Sequence, residues 1–172
     1  ALADAVRLDD RMADAHYLRG LCLREKRRPT EAVQAIQRAT AIEPAMIAAR
    51  EELADLYGAI GRSGDQLEQL QVLAALEHDR AARQVAVGMA HARAGQWDLA
   101  VLTLGGALER NPNAPEIYRA LGQVWLERPR DDGAFLSKAR EALERAAASP
   151  RAASETLVLY ARALLQSGDV SA

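Results

Sequence analysis

Three histidines, one cysteine and a short acidic cluster are the side chains of this 172-residue chain that have chemistry to offer. No two of His16, His78 and His91 stand at the HxxxH or HExxH spacing that sets a pair of ligands on one helix face. The single thiol, Cys22, can form neither an internal disulfide nor a zinc site. Between Leu21 and Leu23 it reads as a buried, inert thiol. No G-x-S-x-G elbow, phosphate loop or dinucleotide fingerprint occurs. The chain therefore reads as a non-enzyme with no cofactor and no metal. Glu51, Glu52 and Asp55 carry a different chemistry. Within about 1.5 turns of one helix they repel one another unless a cation lies among them, which is the chemistry of recognition.

The elements that position these groups are helices. The chain is 49% hydrophobic but only 4% aromatic, and it is rich in alanine and arginine, a composition that favours helix over sheet. A net charge of −2 and a pI near 6.0 give no electrostatic case for nucleic-acid binding. No apolar run approaches the roughly 18–20 residues of a membrane span, so a soluble chain without direct membrane insertion is expected. Its compartment stays open between cytoplasm and periplasm. The opening ALADAVRLDD already reads as helix, as if the chain begins inside a longer protein. Abundant arginine beside only two lysines, Lys26 and Lys138, points to a GC-rich bacterial gene.

One period organises the sequence. Gly20, Ala54, Gly88 and Gly122 are evenly spaced, and the same interval separates Gly61 from Gly95, Ala39 from Leu73, and Leu73 from Ala107. Pro44 and Pro112 are separated by twice that interval. The pattern resembles the tetratricopeptide repeat, a helix–turn–helix unit of about 34 residues reading W-x2-L-G-x2-Y, then A-x3-F, then P. Residues 81–114 match it best, with Val87-Gly88, His91, Gly95, Ala100, Leu104, Ala107 and Pro112 in order. The fourth unit carries Tyr118, Leu121-Gly122 and Trp125, then Ala139, Leu143 and Ala146. The expected fold is all-α: a solenoid of antiparallel helix hairpins, about ten helices, whose right-handed superhelix is implied by the resemblance. One continuous array is expected over 1–172. Its parts are the second helix of a preceding repeat (1–12), a repeat (13–46), a degenerate repeat (47–80), a repeat (81–114), a repeat with five extra residues (115–152), and the first helix of a further one (153–172).

Several positions depart from the pattern. Gln66 replaces a small residue at the helix contact of the second unit, which should push that helix outward. Arg19 stands where an apolar residue is usual, with Leu18 beside it, so the buried stripe should rotate. A glycine such as Gly122 in a helix costs about 1 kcal/mol against alanine. Close approach to Ala100 or Ala107 of a partner helix is the expected compensation. Gly105-Gly106 reads as two tolerated small positions, or else as a hinge or a close backbone contact. The inserted turn from Arg128 to Gly133 reads as a surface loop beside Phe135. Trp97, Trp125, Tyr57 and Tyr118 fall at core positions.

The resemblance implies a protein-interaction scaffold whose groove is lined by the first helix of each unit. Its arrays occur in bacterial exopolysaccharide-export, pilus-assembly and signalling proteins. Transferred to this sequence, the groove takes Tyr17, Leu21 and Arg24 from the first unit and Glu51, Glu52 and Asp55 from the second. Val85, Met89 and Arg93 follow from the third, and Arg119 and Gln123 from the fourth. The places at which relatives grip a terminal carboxylate hold Tyr17, Leu21, Glu52, Ala82 and Ala86, so that activity is not expected. The acidic stripe, with Val85 and Met89 as an apolar floor, suits a peptide or protein segment with Arg or Lys beside an apolar anchor. A structural spacer or self-associating segment is the alternative. It would use the unfinished ends, with Leu2, Val6 and Leu8 at one and Val158, Leu159 and Leu165 at the other.

Overall fold

A computed structural model of the chain describes residues 12–129, 133–150 and 152–168. Among these residues the chain is all-α, with nine helices and no strand. They are α1 (Ala13–Glu25), α2 (Pro29–Ile42), α3 (Ile47–Ala59), α4 (Ser63–Leu76) and α5 (Ala81–Arg93), then α6 (Trp97–Arg110), α7 (Pro115–Glu127), α8 (Ala134–Ala147) and α9 (Ser154–Ser167). The expected helix over 1–12, with Leu2, Val6 and Leu8, lies outside the described residues apart from Met12. The chain divides into two compact units, one ending at His78 and one starting at Asp79. The first holds α1–α4 and the second α5–α9.

Sequence dictates where the helices stop. Pro29 and Pro115 stand at helix starts, where a missing N–H costs nothing. Gly61 (φ 75°) and Gly95 (φ 74°) turn α3 into α4 and α5 into α6 in the left-handed region, which glycine enters without a Cβ clash. Arg27, one repeat before Gly61, adopts the same conformation at φ 56°. The next position in that column is Pro129, whose ring forbids a positive φ. There the tight turn is replaced by the insertion, and residues 130–132 of it lie outside the described residues.

Within each hairpin the glycine of the first helix admits the large residue of the second. A Cβ placed on Gly20 would strike Ile36, one on Gly88 would strike Leu104, and one on Gly122 would strike Leu143; in each case a terminal methyl lies 2.8 Å away. The expected close approach is present, but the group filling the space is the large member of the set, not Ala100 or Ala107. Ile36, Leu104 and Leu143 are fully buried there. The second hairpin differs. Ala54 takes the glycine column, and Gly58, one turn later, receives the amide of Gln66. Gly58 thus supplies room for the Gln66 amide at the α3–α4 contact.

Other expectations change on burial. Leu18 is 44% exposed and Arg19 is exposed, while α1 buries Ala13, Ala15, His16 and Gly20, so the stripe has not rotated onto Leu18. Cys22 is exposed, not buried. Tyr57 is a core residue, but Trp97, Trp125 and Tyr118 are only partly buried. A Cβ added at Gly105 or Gly106 would meet nothing within 4 Å, which removes the close-contact reading of that pair.

Candidate functional site

In the first compact unit, the candidate groove residues come from α1 and α3. Tyr17 and Leu21 project from α1 half-buried, and Leu18 beside them is exposed. On α3, Glu51 and Asp55 are exposed, whereas Glu52 is only 8% exposed. The cation that the acidic cluster requires is Arg24. Its Nη1 donates to both carboxylate oxygens of Glu52, at 2.8 and 2.7 Å. A carboxylate this deeply buried is costly unless it is paired and hydrogen-bonded, so the contact fixes α1 against α3. Glu52 and Arg24 are thereby spent on each other, while Glu51 and Asp55 lie at the exposed side of α3. Nothing in the local sequence announces a partner on another helix; the two side chains stand 28 residues apart and meet only in the fold.

The second unit treats its share of the stripe differently. Val85 and Met89 are half-buried and pack against the cluster of Ala100, Leu104 and Ile117, so they serve the core as well as the surface. Arg93 is exposed at the end of α5. Arg119 pairs with Glu155 of α9 at 3.4 Å, and Gln123 donates to Glu127 at 2.9 Å. Here too an arginine links one first helix to the next.

Two of the three histidines, His16 and His91, are packing residues, and His78 is exposed. His91 is buried, its Nδ1 2.7 Å from Gln96 Oε1, and this contact joins α5 to the turn before α6. His16 is buried in the first hairpin. Among the described residues no three His, Cys, Asp or Glu side chains converge as metal ligands. Nor is any helix among them long and apolar enough to cross a membrane.

Comparison with known proteins agrees with this architecture. A family model described as "Tetratricopeptide repeat" matches residues 1–47 and 85–137, more than half of the chain. Among solved structures, YrrB, a tetratricopeptide repeat protein with an unusual peptide-binding site, aligns with a TM-score of 0.67 at 12% identity, over 99% of this chain and 86% of that one. PilW, a type IV pilus biogenesis factor, gives 0.69 at 16% identity, over 98% of this chain and 76% of that one. PilF of Pseudomonas aeruginosa gives 0.68 at 16%, over 98% and 74%. At such identities the likeness shows the fold alone. No curated protein sequence gives a significant match. By the family match and by its glycine-seated hairpins, this chain belongs to the tetratricopeptide repeat family, whose helical arrays are in general non-catalytic scaffolds for protein–protein interaction.

Proposed function

We propose that this chain binds a peptide or protein segment on its first-helix faces, with the α1–α3 face of the first unit as the principal contact. The carrying observation is the exposure of Leu18 beside half-buried Leu21 and Tyr17 on α1, with the exposed acid Asp55 on α3. An apolar patch bordered by an exposed acid suits a partner with an apolar side chain next to Arg or Lys, the acid setting orientation and on-rate. Arg93, Arg119 and Gln123 are the groups that the second unit offers on its own first-helix face. The Arg24–Glu52 pair holds the α1–α3 face rigid, so the partner meets a surface already formed.

This arrangement decides which variants are informative. Reversing Glu52 would set two cations against each other inside the first unit and test folding rather than binding. Asp55→Lys changes only an exposed charge. Photo-crosslinking from position 21, with the protein in its own host, should trap a partner that Asp55→Lys releases. Crosslinks formed only from position 102, on α6, would move the binding face.

One observation favours a second reading, self-association of a structural segment. On α9, Leu157, Val158 and Leu165 are 51%, 67% and 65% exposed. Leu159, expected among them, instead packs on the cluster of Leu126, Ala139 and Leu143. Burying one leucine-sized side chain is worth about 1.5–3 kcal/mol, enough for a few such residues to favour association. Concentration-dependent sedimentation that Leu157→Glu with Leu165→Glu abolishes would support it.

A further inference from the structure

The second unit carries a pocket on its outer, second-helix side, separate from the first-helix face. Its floor is apolar, made by Leu108 of α6, Leu121 and Trp125 of α7, and Ala142 of α8. Tyr118 forms one wall, and Lys138, Glu141 and Arg145 form the rim. The volume is about 140 Å³; an apolar cavity of roughly that size takes up a benzene-sized guest. Arg145 lies over the Tyr118 ring at 5.5 Å and bonds Glu141 at 3.0 Å. Tyr118 and Arg145 also line a second hollow, of about 520 Å³, which opens beside Pro112, Pro115 and Pro150.

The fold does not require this opening. In the second hairpin the positions of Tyr118 and Ala142 are taken by Arg50 and Gln69. Arg50 Nη1 donates to Gln69 Oε1 at 2.9 Å, and the two side chains occupy the corresponding space. Alanine at 142 is what leaves the space open in the fourth hairpin, and tyrosine and tryptophan are what line it. Tyrosine and tryptophan are enriched in binding hot spots.

The rim decides what enters. Lys138 has no carboxylate partner among the described residues; its ammonium lies 6.0 Å from the Phe135 ring. With Arg145 it leaves the rim one positive charge in excess over Glu141. We infer that this pocket is a second docking site, which takes an extended segment of another protein with one large apolar side chain in the Trp125–Ala142 pocket and an Asp or Glu within a few residues, held by Lys138 and Arg145. Its preference is thus opposite in charge to that of the α1–α3 face.

A random twelve-residue peptide library displayed on phage, panned against the whole chain, tests this directly. Enriched peptides should pair a large apolar residue with a nearby acid. In a Trp97→Phe background Trp125 is the sole indole, and its emission should shift when such a peptide binds. Affinity should fall by about tenfold or more in Ala142→Gln, which fills the pocket as Gln69 does, and in Lys138→Glu, an exposed change that leaves packing intact. It should be unchanged in Asp55→Lys. Enrichment of basic peptides, or of none, overturns the assignment. So does equal binding to Lys138→Glu and wild type with Trp125 emission unmoved.

Discussion

The second and fourth hairpins share one register and solve the same packing problem in opposite ways. In α7–α8 the hollow at Gly122 receives Leu143, and both Leu126 and Ala139 are buried one turn further on. In α3–α4 the hollow has moved to Gly58 and receives Gln66, in the register of Leu126 and Ala139. Large and small residues have exchanged sides of the seam there. Ala54 stands in the register of Gly122, and Leu70, in that of Leu143, is only half-buried. A helix pair can keep its backbone close as long as volumes stay complementary across the contact. What the backbone does not constrain is the outer surface, filled by Arg50 and Gln69 in one hairpin and left open in the other.

The largest expected effect tests that exchange. Leu143→Ala should destabilise the chain by about 2–5 kcal/mol, because a fully buried leucine leaves a cavity under Gly122. Leu70→Ala, in the equivalent position of the second hairpin, should cost only about 1–2 kcal/mol, because a half-buried side chain has less apolar surface to return to water. Gly122→Ala alone should cost about 1–3 kcal/mol by overpacking, reduced by the gain in helix propensity. In the Leu143→Ala background the same change should turn neutral or stabilising. Denaturant midpoints measure all four. Equal losses for Leu143→Ala and Leu70→Ala would mean that the two seams are packed alike.

The outer surface gives the next effect. Gln69→Ala removes a buried amide that accepts from Arg50, and should cost about 1–2 kcal/mol while opening in the second hairpin the space that the fourth already has. A neutral outcome would show that Gln69 fills no energetically significant volume, and the contrast with Ala142 would lose its force.

These contrasts show what could be read from the sequence. The period was legible because it rests on backbone demands that only small residues meet: Gly20, Gly88 and Gly122 at the seams, Gly61 and Gly95 in the left-handed turns. The order of helices in hairpins follows from it. The side chain that fills each glycine hollow was not legible, because the direction in which Leu104 or Leu143 points depends on how the second helix lies on the first. The Gly58–Gln66 exchange keeps volume while breaking the motif, so a motif sees only the break. In the candidate site the acids stood out by their spacing, and the need for a cation could be stated. That Arg24 meets it, and so withdraws Glu52 from the surface, depends on a contact between non-adjacent helices. The outer pocket is a missing side chain at Ala142, which becomes visible only beside a hairpin that has one.

The turns offer a smaller effect. Gly61→Ala should cost about 1 kcal/mol, since the Cβ of alanine in the left-handed region crowds the following carbonyl. Arg27→Gly should gain about as much at the matching turn of the first hairpin. In the fourth hairpin the column is held by Pro129, and the insertion has removed the conformational demand. Pro129→Gly should therefore do no more than loosen the turn slightly. If thermal midpoints rise for Pro129→Gly as they do for Arg27→Gly, the insertion has some cause other than the proline.

The smallest effect concerns Tyr57, which stands in the second hairpin where Trp125 stands in the fourth. Burial raises the Tyr57 hydroxyl above its ordinary value of 10.0, against the opposing influence of the hydrogen bond from Gln37 and of the nearby Arg62. Gln37 Nε2 donates to that hydroxyl at 2.8 Å, and the Arg62 guanidinium lies 4.9 Å from the ring centre. The native state holds this proton more tightly than the unfolded chain does. The contribution is therefore complete below about pH 10 and is lost as pH rises through the raised value, where the unfolded state gains by releasing the proton. Between about pH 9 and pH 11 the wild type should lose more stability than Tyr57→Phe, although the variant starts lower for want of the Gln37 bond. Trp125→Tyr would place a phenol on the partly exposed side of the fourth hairpin, where water can solvate the phenolate, and should add little to the alkaline loss. Parallel pH profiles for wild type and Tyr57→Phe would show that the two positions, one sealed and one open, do not differ in the way their burial implies.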